Sequence, residues 1–182
     1  MLTAAMSTVT LMKDKTNIIL IGMPGAGKST VGVILAKLTA RDFVDTDLLI
    51  QISQRRSLQD IVDKDGHMAL RMIEENVILG LDCHNRVIAT GGSAVYSHAA
   101  MTHLKSNGIA VFLDVYPDML QSRIHDFDTR GLAKLPGQTL SDLFEERFPL
   151  YAKYADITVD CEALTQEEVC AAIINELKIG IN

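Results

Sequence analysis

The sequence predicts an α/β domain in which a five-stranded parallel sheet carries helices on both faces. Short apolar runs rich in β-branched residues alternate along the chain with longer segments in which apolar residues recur at helical spacing. Such alternation is typical of parallel sheets, because each crossover connection places a helix on a face of the sheet. A chain of 182 residues is long enough for one such domain and its core. We therefore expect a single domain with three layers.

The strands and helices can be assigned in order along the chain. The first strand, residues 17–21, stops at Gly22, and after Lys28 apolar residues return at the spacing of a first helix. Helical spacing also predicts helices at residues 47–54, 58–63, 68–81, 97–105, 117–124, 140–154 and 166–177. The remaining apolar runs predict strands at residues 41–45, 86–89, 109–113 and 157–159.

Two segments lie outside this alternation. The first twelve residues have neither a basic leader nor the apolar length of a membrane span. We predict that residues 1–16 form a flexible N-terminal extension and that residues 17–182 form the domain. Residues 125–138 contain acids, two glycines and a proline without a clear period. An irregular stretch of this length inside a compact domain is typically functional, and we predict a lid.

Composition argues against several classes of function. The chain carries 17 Lys and Arg against 23 Asp and Glu, its formal net charge is -6, and its basic residues are scattered. Nucleic-acid-binding proteins cluster Lys and Arg on one surface, so we expect neither a nucleic-acid nor a membrane partner. Three widely spaced cysteines give neither a disulfide framework nor a zinc site. We expect a cytoplasmic monomer that acts on small molecules.

The strongest motif is the glycine-rich turn between the first strand and the first helix. Residues 22–29 satisfy the pattern Gly-x4-Gly-Lys-Ser in the context that this pattern requires. Backbone N–H groups of such a turn surround a phosphate, and the helix that follows presents its positive end. We predict that Lys28 reaches the β- and γ-phosphates of ATP and that Ser29 holds Mg²⁺. The alternative is a plain glycine turn with a chance lysine. The predicted nucleotide contacts in this turn are Gly25, Ala26, Gly27, Lys28, Ser29 and Thr30.

Asp45 and Asp47 come at the carboxyl end of the second strand, where ligands of open α/β sheets bind. Carboxylates one residue apart project on the same side of an extended chain, so we expect both to face the phosphate loop. One can then serve the metal and the other the acceptor hydroxyl. The alternative for Asp47 is that it caps the next helix.

Two arginines are candidates for binding an anionic substrate. Arg147 has Leu143 and Tyr151 four residues before and after it, which places it beside an apolar helix face. An unpaired buried charge is costly, so a substrate carboxylate is a reasonable partner. Arg71 has acids at its i+3 and i+4 positions. The simpler interpretation of Arg71 is a solvated surface ion pair.

Gly91 and Gly92 end the third strand, where the absence of side chains permits close approach by a ligand, although a plain turn explains them equally well. Arg123 and Arg130 flank and enter the irregular segment. An arginine in a lid can swing onto a phosphoryl group during transfer. A mobile surface charge is the alternative for both.

Taken together, these motifs resemble the shikimate kinase family of P-loop kinases, over about residues 17–177. The resemblance implies the nucleoside-monophosphate-kinase-like fold, with strand order 2-3-1-4-5. It also implies that ATP and Mg²⁺ are required and that a phosphoryl group is transferred to the 3-hydroxyl of shikimate, a step of aromatic amino-acid biosynthesis. Besides the phosphate loop, the resemblance depends on residues 43–47, 57–61, Gly66, Arg71 with Glu74, Gly91 with Gly92, Arg123 with Arg130, and residues 146–151.

The resemblance also implies a role for each matched residue. Asp47 would accept the proton of the substrate hydroxyl, and Asp45 would lie in the hydration shell of Mg²⁺. Arg71 and Arg147 would clamp the shikimate carboxylate beside the backbone of the glycine pair. The lid arginine, Arg130, would approach the γ-phosphate, and Arg123 would lie against the adenine. The catalytic residues implied in this way are Lys28, Asp47 and Arg130.

The chain departs from the family pattern around the acceptor. Ser93 stands where the family usually has a third glycine, and we expect its side chain to loosen the contact with the substrate ring. The lid reads Gly-Leu-Ala after Arg130 instead of Pro-Leu-Leu. Two alternatives therefore stay open: a kinase of another small polyhydroxy acid, such as gluconate, and a nucleotide-binding regulatory module with reduced catalysis. The other departures are Val62, His67 and Leu70, where the family commonly has a phenylalanine, an acid and a phenylalanine.

Overall fold

The computed structural model describes residues 15–123, 131–135 and 137–178. Its centre is a five-stranded sheet in which all neighbouring strands are parallel, in the order β2-β3-β1-β4-β5. The predicted α/β class and strand order are confirmed. The strands are β1 (Asn17–Ile21), β2 (Asp42–Asp45), β3 (Arg86–Ala89), β4 (Gly108–Asp114) and β5 (Ile157–Asp160).

The position of each strand matches its apolar character. All five residues of β1 are buried, and it pairs with β3 on one side and β4 on the other. The edge strands β2 and β5 contain exposed residues. An uninterrupted apolar run can be buried only where helices cover both faces of the sheet, which places β1 at the centre.

The helices form the outer layers. The first helix, α1, packs against β1, β3 and the last helix, α8, whereas α5 and α7 pack against β4. Their apolar faces meet the sheet in one large core that includes Leu35, Met101 and Phe112. The helices are α1 (Lys28–Leu38), α2 (Thr46–Gln54), α3 (Leu58–Asp65), α4 (His67–Leu79), α5 (His98–Ser106), α6 (Pro117–Arg123), α7 (Leu140–Tyr154) and α8 (Gln166–Leu177), with a 3₁₀ turn at Ala94–Tyr96.

Side-chain caps define where several helices begin. At the start of α3, the Ser57 hydroxyl accepts from the Asp60 N–H, and the Asp60 carboxylate accepts in return from the Ser57 N–H. Thr139 begins α7 and Thr165 begins α8 with the same reciprocal arrangement. Each capping box satisfies backbone donors that the first turn leaves free. Residues 57–61, which contribute to the family resemblance, therefore serve the fold.

The predicted ends lie within two residues of the observed ones, and many coincide with them. The second helix begins at Thr46 because Asp45 caps it, and α4 ends at Leu79 because Gly80 follows as its C-cap. Of the predicted extension, only residues 15 and 16 are described, and of the predicted lid, only residues 131–135, 137 and 138. No helix in the described ranges is both long and apolar enough to cross a membrane.

Candidate active site

A cavity of about 410 Å³ lies among the loops that follow β1, β2 and β3. It is lined by the phosphate loop, by Asp47, by the Thr90–Ser93 turn and by Arg147. Residues 131–133 of the irregular segment also line it. The strands are parallel, so their carboxyl ends meet at one edge of the sheet, where open α/β folds bind ligands. Tertiary structure thus brings together residues that lie more than a hundred positions apart.

The phosphate loop presents its backbone to the cavity as predicted. Gly27 adopts the left-handed conformation, with φ of 89°, and leads directly into α1. Gly25 and Thr30 line the cavity beside it. Ala26 is not among the lining residues, because it is buried and its N–H donates to the Met23 carbonyl at 3.1 Å. The prediction of a nucleotide contact through Ala26 therefore lacks support in this conformation of the loop.

Lys28 lies inside the phosphate loop, with only 8% of the residue exposed. Its ammonium group donates to the carbonyls of Gly22 and Met23, at 2.8 and 2.9 Å. Burial lowers the pKa of Lys28 from 10.5 to about 8, and the Asp47 carboxylate opposes that shift. The lysine is therefore held by neutral oxygens at the point where the loop would receive a phosphate. Phosphate oxygens would be stronger partners for this charge than the two carbonyls.

The side chains of Ser29 and Asp45 are hydrogen-bonded to each other, and both carry oxygen atoms that could bind a metal ion. The Ser29 hydroxyl donates to Asp45 Oδ2 at 2.6 Å. The other carboxylate oxygen, Oδ1, accepts from the N–H groups of Asp47 and Leu48 at 3.0 and 3.2 Å. Both residues line a second cavity of about 350 Å³. A hydroxyl beside a carboxylate is the kind of donor set that Mg²⁺ prefers.

The structure corrects the geometry predicted for the two aspartates. The chain is not extended across them: α2 begins at Thr46, Asp45 is its N-cap, and Asp47 lies in its first turn. The expectation that both project from one side of a strand is therefore wrong. So is the alternative in which Asp47 caps the helix, because Asp45 does so. Asp47 instead lines the large cavity from the helix N-terminus.

Glu74 is a buried acid that lines the same cavity, with 2% of the residue exposed. The Ser93 hydroxyl donates to Glu74 Oε2, whereas Oε1 has no hydrogen-bond partner among the described residues. Burial, and then the Asp47 charge, raise the pKa of Glu74 from 4.5 to about 7. The Ser93 side chain is thus occupied by Glu74, and the expectation that it loosens the contact with the substrate ring has no support here.

Atoms of neighbouring residues leave little room for a side chain at Gly91 or Gly92. A Cβ on Gly91 would collide with Glu74 Oε1 and stand 2.6 Å from Asp47 Oδ1. A Cβ on Gly92 would stand 2.8 Å from Arg147 Nη1 and 2.9 Å from Pro24 Cδ. Contacts this short would force a neighbour to move, so the absence of side chains lets two acids, an arginine and the phosphate loop converge as they do here. The Gly91 N–H itself donates to the Thr46 hydroxyl, so it serves the fold in this structure.

Arg147 is buried, with 1% of the residue exposed, as its apolar neighbours predicted. Its Nη2 donates to the Ala133 carbonyl at 2.8 Å and its Nε to the Tyr96 hydroxyl at 3.3 Å. Its Nη1 lies against Gly92 at the cavity wall. These protein partners are neutral, which leaves the guanidinium charge suited to an anionic ligand.

Arg71 lies nearby, and the interpretation as a solvated surface pair with its helix neighbours is wrong. Its guanidinium stacks on the Tyr96 ring, 3.6 Å from the centroid. Nη2 donates to the Ala133 carbonyl at 3.3 Å and lies 3.9 Å from the Glu146 carboxylate. Arg71 lines an adjoining cavity of about 330 Å³ and is not among the residues that line the larger one. The two arginines nevertheless share one carbonyl partner.

The remaining predicted residues divide into two groups. Arg123 lines the large cavity from the end of α6, and Arg130 lies outside the described residues.

The sequence reasoning missed Tyr96 and assigned Glu74 to a surface pair. An aromatic residue four positions after Gly92 was the only signal for Tyr96. Glu74 is buried because α4 packs against the Ser93 turn, and no local sequence pattern indicates that contact.

Comparison with known proteins identifies one family. The family model described as shikimate kinase matches residues 24–178. A shikimate kinase of Thermodesulfovibrio yellowstonii is 37% identical over 88% of this chain and 94% of the relative. One of Alteromonas mediterranea is 38% identical over 93% of this chain and 100% of the relative. The solved shikimate kinase of Acinetobacter baumannii in complex with shikimate is 31% identical, covers 93% of this chain and 97% of that one, and superposes with a TM-score of 0.84.

Proposed function

The chain belongs to the shikimate kinase family, and on this basis we propose that it transfers the γ-phosphoryl group of ATP to the 3-hydroxyl of shikimate. The products are shikimate 3-phosphate, ADP and a proton. The observation that carries the proposal is one cavity lined by the phosphate loop, by the carboxylate of Asp47 and by the buried cation Arg147. A ligand that fits this cavity needs a carboxylate and a hydroxyl, and shikimate has both.

The phosphate loop is assigned to ATP. Lys28 would exchange its two loop carbonyls for β- and γ-phosphate oxygens, while the N–H groups of the loop and the start of α1 meet the remaining charge. Phosphoryl transfer depends mainly on positioning and electrostatic stabilisation, so this exchange needs no covalent role for the protein. Arg123, at the cavity wall, is assigned to the adenine end.

Mg²⁺ is assigned to Ser29 and Asp45. No group of three or more metal-binding side chains occurs in the described ranges. Mg²⁺ commonly takes one or two protein oxygens and completes its shell with water and phosphate, and the Ser29–Asp45 pair fits that requirement. When bound there, the ion would neutralise phosphate charge. Asp45 is also committed to the cap of α2, which orients it toward Ser29.

Asp47 is assigned as the acceptor of the hydroxyl proton. It lines the cavity beside Glu74 and is electrostatically coupled to Lys28. A carboxylate at this position can hold the 3-hydroxyl in line with the γ-phosphate and take its proton as the phosphorus–oxygen bond forms. Arg130, whose position is not described, stays a prediction as the lid arginine that meets the transferring group.

Arg147 and Arg71 are assigned to the shikimate carboxylate. Arg147 already directs one guanidinium edge to the cavity wall at Gly92. Arg71 shares the Ala133 carbonyl with it and is assigned as the second donor to the ligand carboxylate. Paired arginines bind a carboxylate with good geometry and strong, charge-assisted hydrogen bonds.

The proposal is tested by acceptor-dependent ADP release with shikimate, gluconate and no acceptor. We expect turnover with shikimate, none with Lys28→Ala, and a collapse of the turnover number with Asp47→Asn at nearly unchanged ATP affinity. Arg147→Ala and Arg71→Ala should raise KM for shikimate by roughly ten- to a hundred-fold, since each removes a charge-assisted hydrogen bond. Higher catalytic efficiency with gluconate would refute the acceptor, and near-wild-type turnover of Lys28→Ala would refute the phosphate-loop assignment.

Monomeric state and cytoplasmic location stay predictions. Light scattering during gel filtration would test the monomer: a mass near 19.9 kDa supports it, and a stable multiple of that mass contradicts it.

A further inference from the structure

We propose that Tyr96 is a positioning residue for acceptor binding, one that holds Arg71 and Arg147 ready for the substrate carboxylate. The inference rests on the proposed function, because it assumes a carboxylate ligand at these arginines. Tyr96 ends the 3₁₀ turn Ala94–Tyr96 that follows the glycine pair. It contacts both arginines, which come from α4 and α7.

The ring of Tyr96 supports Arg71. The Arg71 guanidinium carbon lies 3.6 Å from the ring centroid, which is stacking distance. The other polar contacts of Arg71 are weaker: 3.3 Å to the Ala133 carbonyl and 3.9 Å to Glu146. Its Nε is buried without a hydrogen-bond partner among the described residues. The aromatic face is therefore the main feature that orients this guanidinium.

The hydroxyl of Tyr96 orients Arg147. It accepts from Arg147 Nε at 3.3 Å and donates to Glu146 Oε1 at 2.6 Å. Glu146 is itself held by the Gln138 side-chain amide at 2.6 Å. Nε is bound to Tyr96 and Nη2 to Ala133, and the Nη1 atom of Arg147 lies against Gly92, which lines the cavity.

Two guanidinium groups held close together repel each other, so their arrangement needs support before any substrate arrives. The negative face of the Tyr96 ring lies under one cation, and its hydroxyl joins the other cation to a carboxylate. A site organised in this way loses less conformational entropy when the ligand binds. Loss of Tyr96 should therefore weaken acceptor binding and leave ATP binding alone.

Two variants separate the ring from the hydroxyl. Tyr96→Phe keeps the stack on Arg71 and loses only the hydroxyl, whereas Tyr96→Leu loses both. We expect KM for shikimate to rise roughly five- to thirty-fold in Tyr96→Leu, and less in Tyr96→Phe. The turnover number at saturating shikimate and KM for ATP should stay within about two-fold. Thermal unfolding of both variants reports whether they fold, and Tyr96→Phe keeps the test valid should the leucine variant fail to fold.

A double-mutant cycle tests whether Tyr96 acts through Arg71. In an Arg71→Ala background, Tyr96→Leu should raise KM for shikimate only by the smaller factor that Tyr96→Phe shows, because only the bond to Arg147 is left to lose. The same cycle is run with an acceptor that carries a hydroxymethyl group in place of the carboxylate, on which the Tyr96 variants should show no added penalty. Unchanged shikimate KM in both variants would overturn this inference, as would fully additive effects. Failure of the wild-type enzyme to bind shikimate by calorimetry would overturn the proposed function and this inference with it.

Discussion

Glu74 places a carboxyl group between the Ser93 hydroxyl and the Asp47 carboxylate at the cavity wall. Burial raises the pKa of Glu74 to about 7, so small changes of pH near neutrality change how much of the carboxyl is protonated. The ordinary value of 4.5 applies to the unfolded chain. The difference between these two values links the protonation of a single residue to the stability of the fold.

We predict that Glu74→Gln removes a pH-dependent loss of stability. Below about pH 4.5 the carboxyl is protonated in both the folded and the unfolded chain, and it costs nothing. From pH 4.5 to about 7 the unfolded chain loses its proton while the folded chain keeps it, so the free energy of unfolding falls as pH rises. Above about pH 7 the loss is complete, on the order of 3 kcal/mol. Urea unfolding of both proteins at several pH values should show that the free energy of unfolding of Glu74→Gln, relative to that of the wild type, rises with pH up to about pH 7.

The neighbouring Glu75 provides the control for this measurement. It is only half-buried and lies on the same helix, so Glu75→Gln should follow the pH dependence of the wild type. Stability curves for Glu74→Gln and the wild type that stay parallel from pH 4 to pH 8 would contradict the coupling between burial and protonation described here.

At the scale of the helix, α7 carries Arg147, the residue proposed to bind the substrate carboxylate. Arg147 points into the cavity, and one turn later Tyr151 donates its hydroxyl to the Gly92 carbonyl at 2.7 Å. Tyr151 also stacks on Phe112 of β4, with ring centroids 5.1 Å apart. The helix is thereby fixed both to the sheet and to the glycine pair, and its N-terminus is set by the capping box at Thr139.

We predict that Thr139→Ala lowers the free energy of unfolding by about 1 kcal/mol, the usual cost of removing such a cap. Thr139→Ser keeps the hydroxyl and should cost only a few tenths of that. Because the cap lies two turns from Arg147, KM for shikimate should change less than three-fold in either variant. Denaturant unfolding followed by circular dichroism measures the first effect, and equal stability of the alanine and serine variants would show that the cap contributes nothing.

At the scale of the whole molecule, the cavity is closed by segments from distant parts of the chain. Residues 131–133 reach it from the irregular segment, where the Gly131 N–H donates to the Gln59 side chain at 2.6 Å and the Ala133 carbonyl accepts from both arginines. The part of the predicted lid that is described therefore touches both α3 and the anion-binding residues. We therefore expect ligand binding in the cavity to affect this segment directly.

We predict that backbone amides of residues 131–135 gain protection from hydrogen exchange when shikimate and an unreactive ATP analogue bind together. Either ligand alone should give a smaller effect, and α3 and α7 should change little. Mass spectrometry of peptides that cover this segment measures the exchange. The same exchange rate in the free protein and the ternary complex would count against a lid.

The sequence by itself determined the fold class and the phosphate loop and, through family resemblance, the strand order and the grouping of Asp47, Arg147 and the glycine pair beside that loop. These features depend on local chemistry: an apolar run that needs cover on both faces, or a glycine turn between strand and helix. Tertiary structure alone decided the partners of those residues. Whether Arg71 meets an acid on its own helix or an aromatic ring from another segment depends on how α4 packs. The same packing buries Glu74 against Ser93 and brings Tyr96 between two arginines. No local pattern predicts these contacts, because contacts between distant segments depend on the shape and charge of the assembled core.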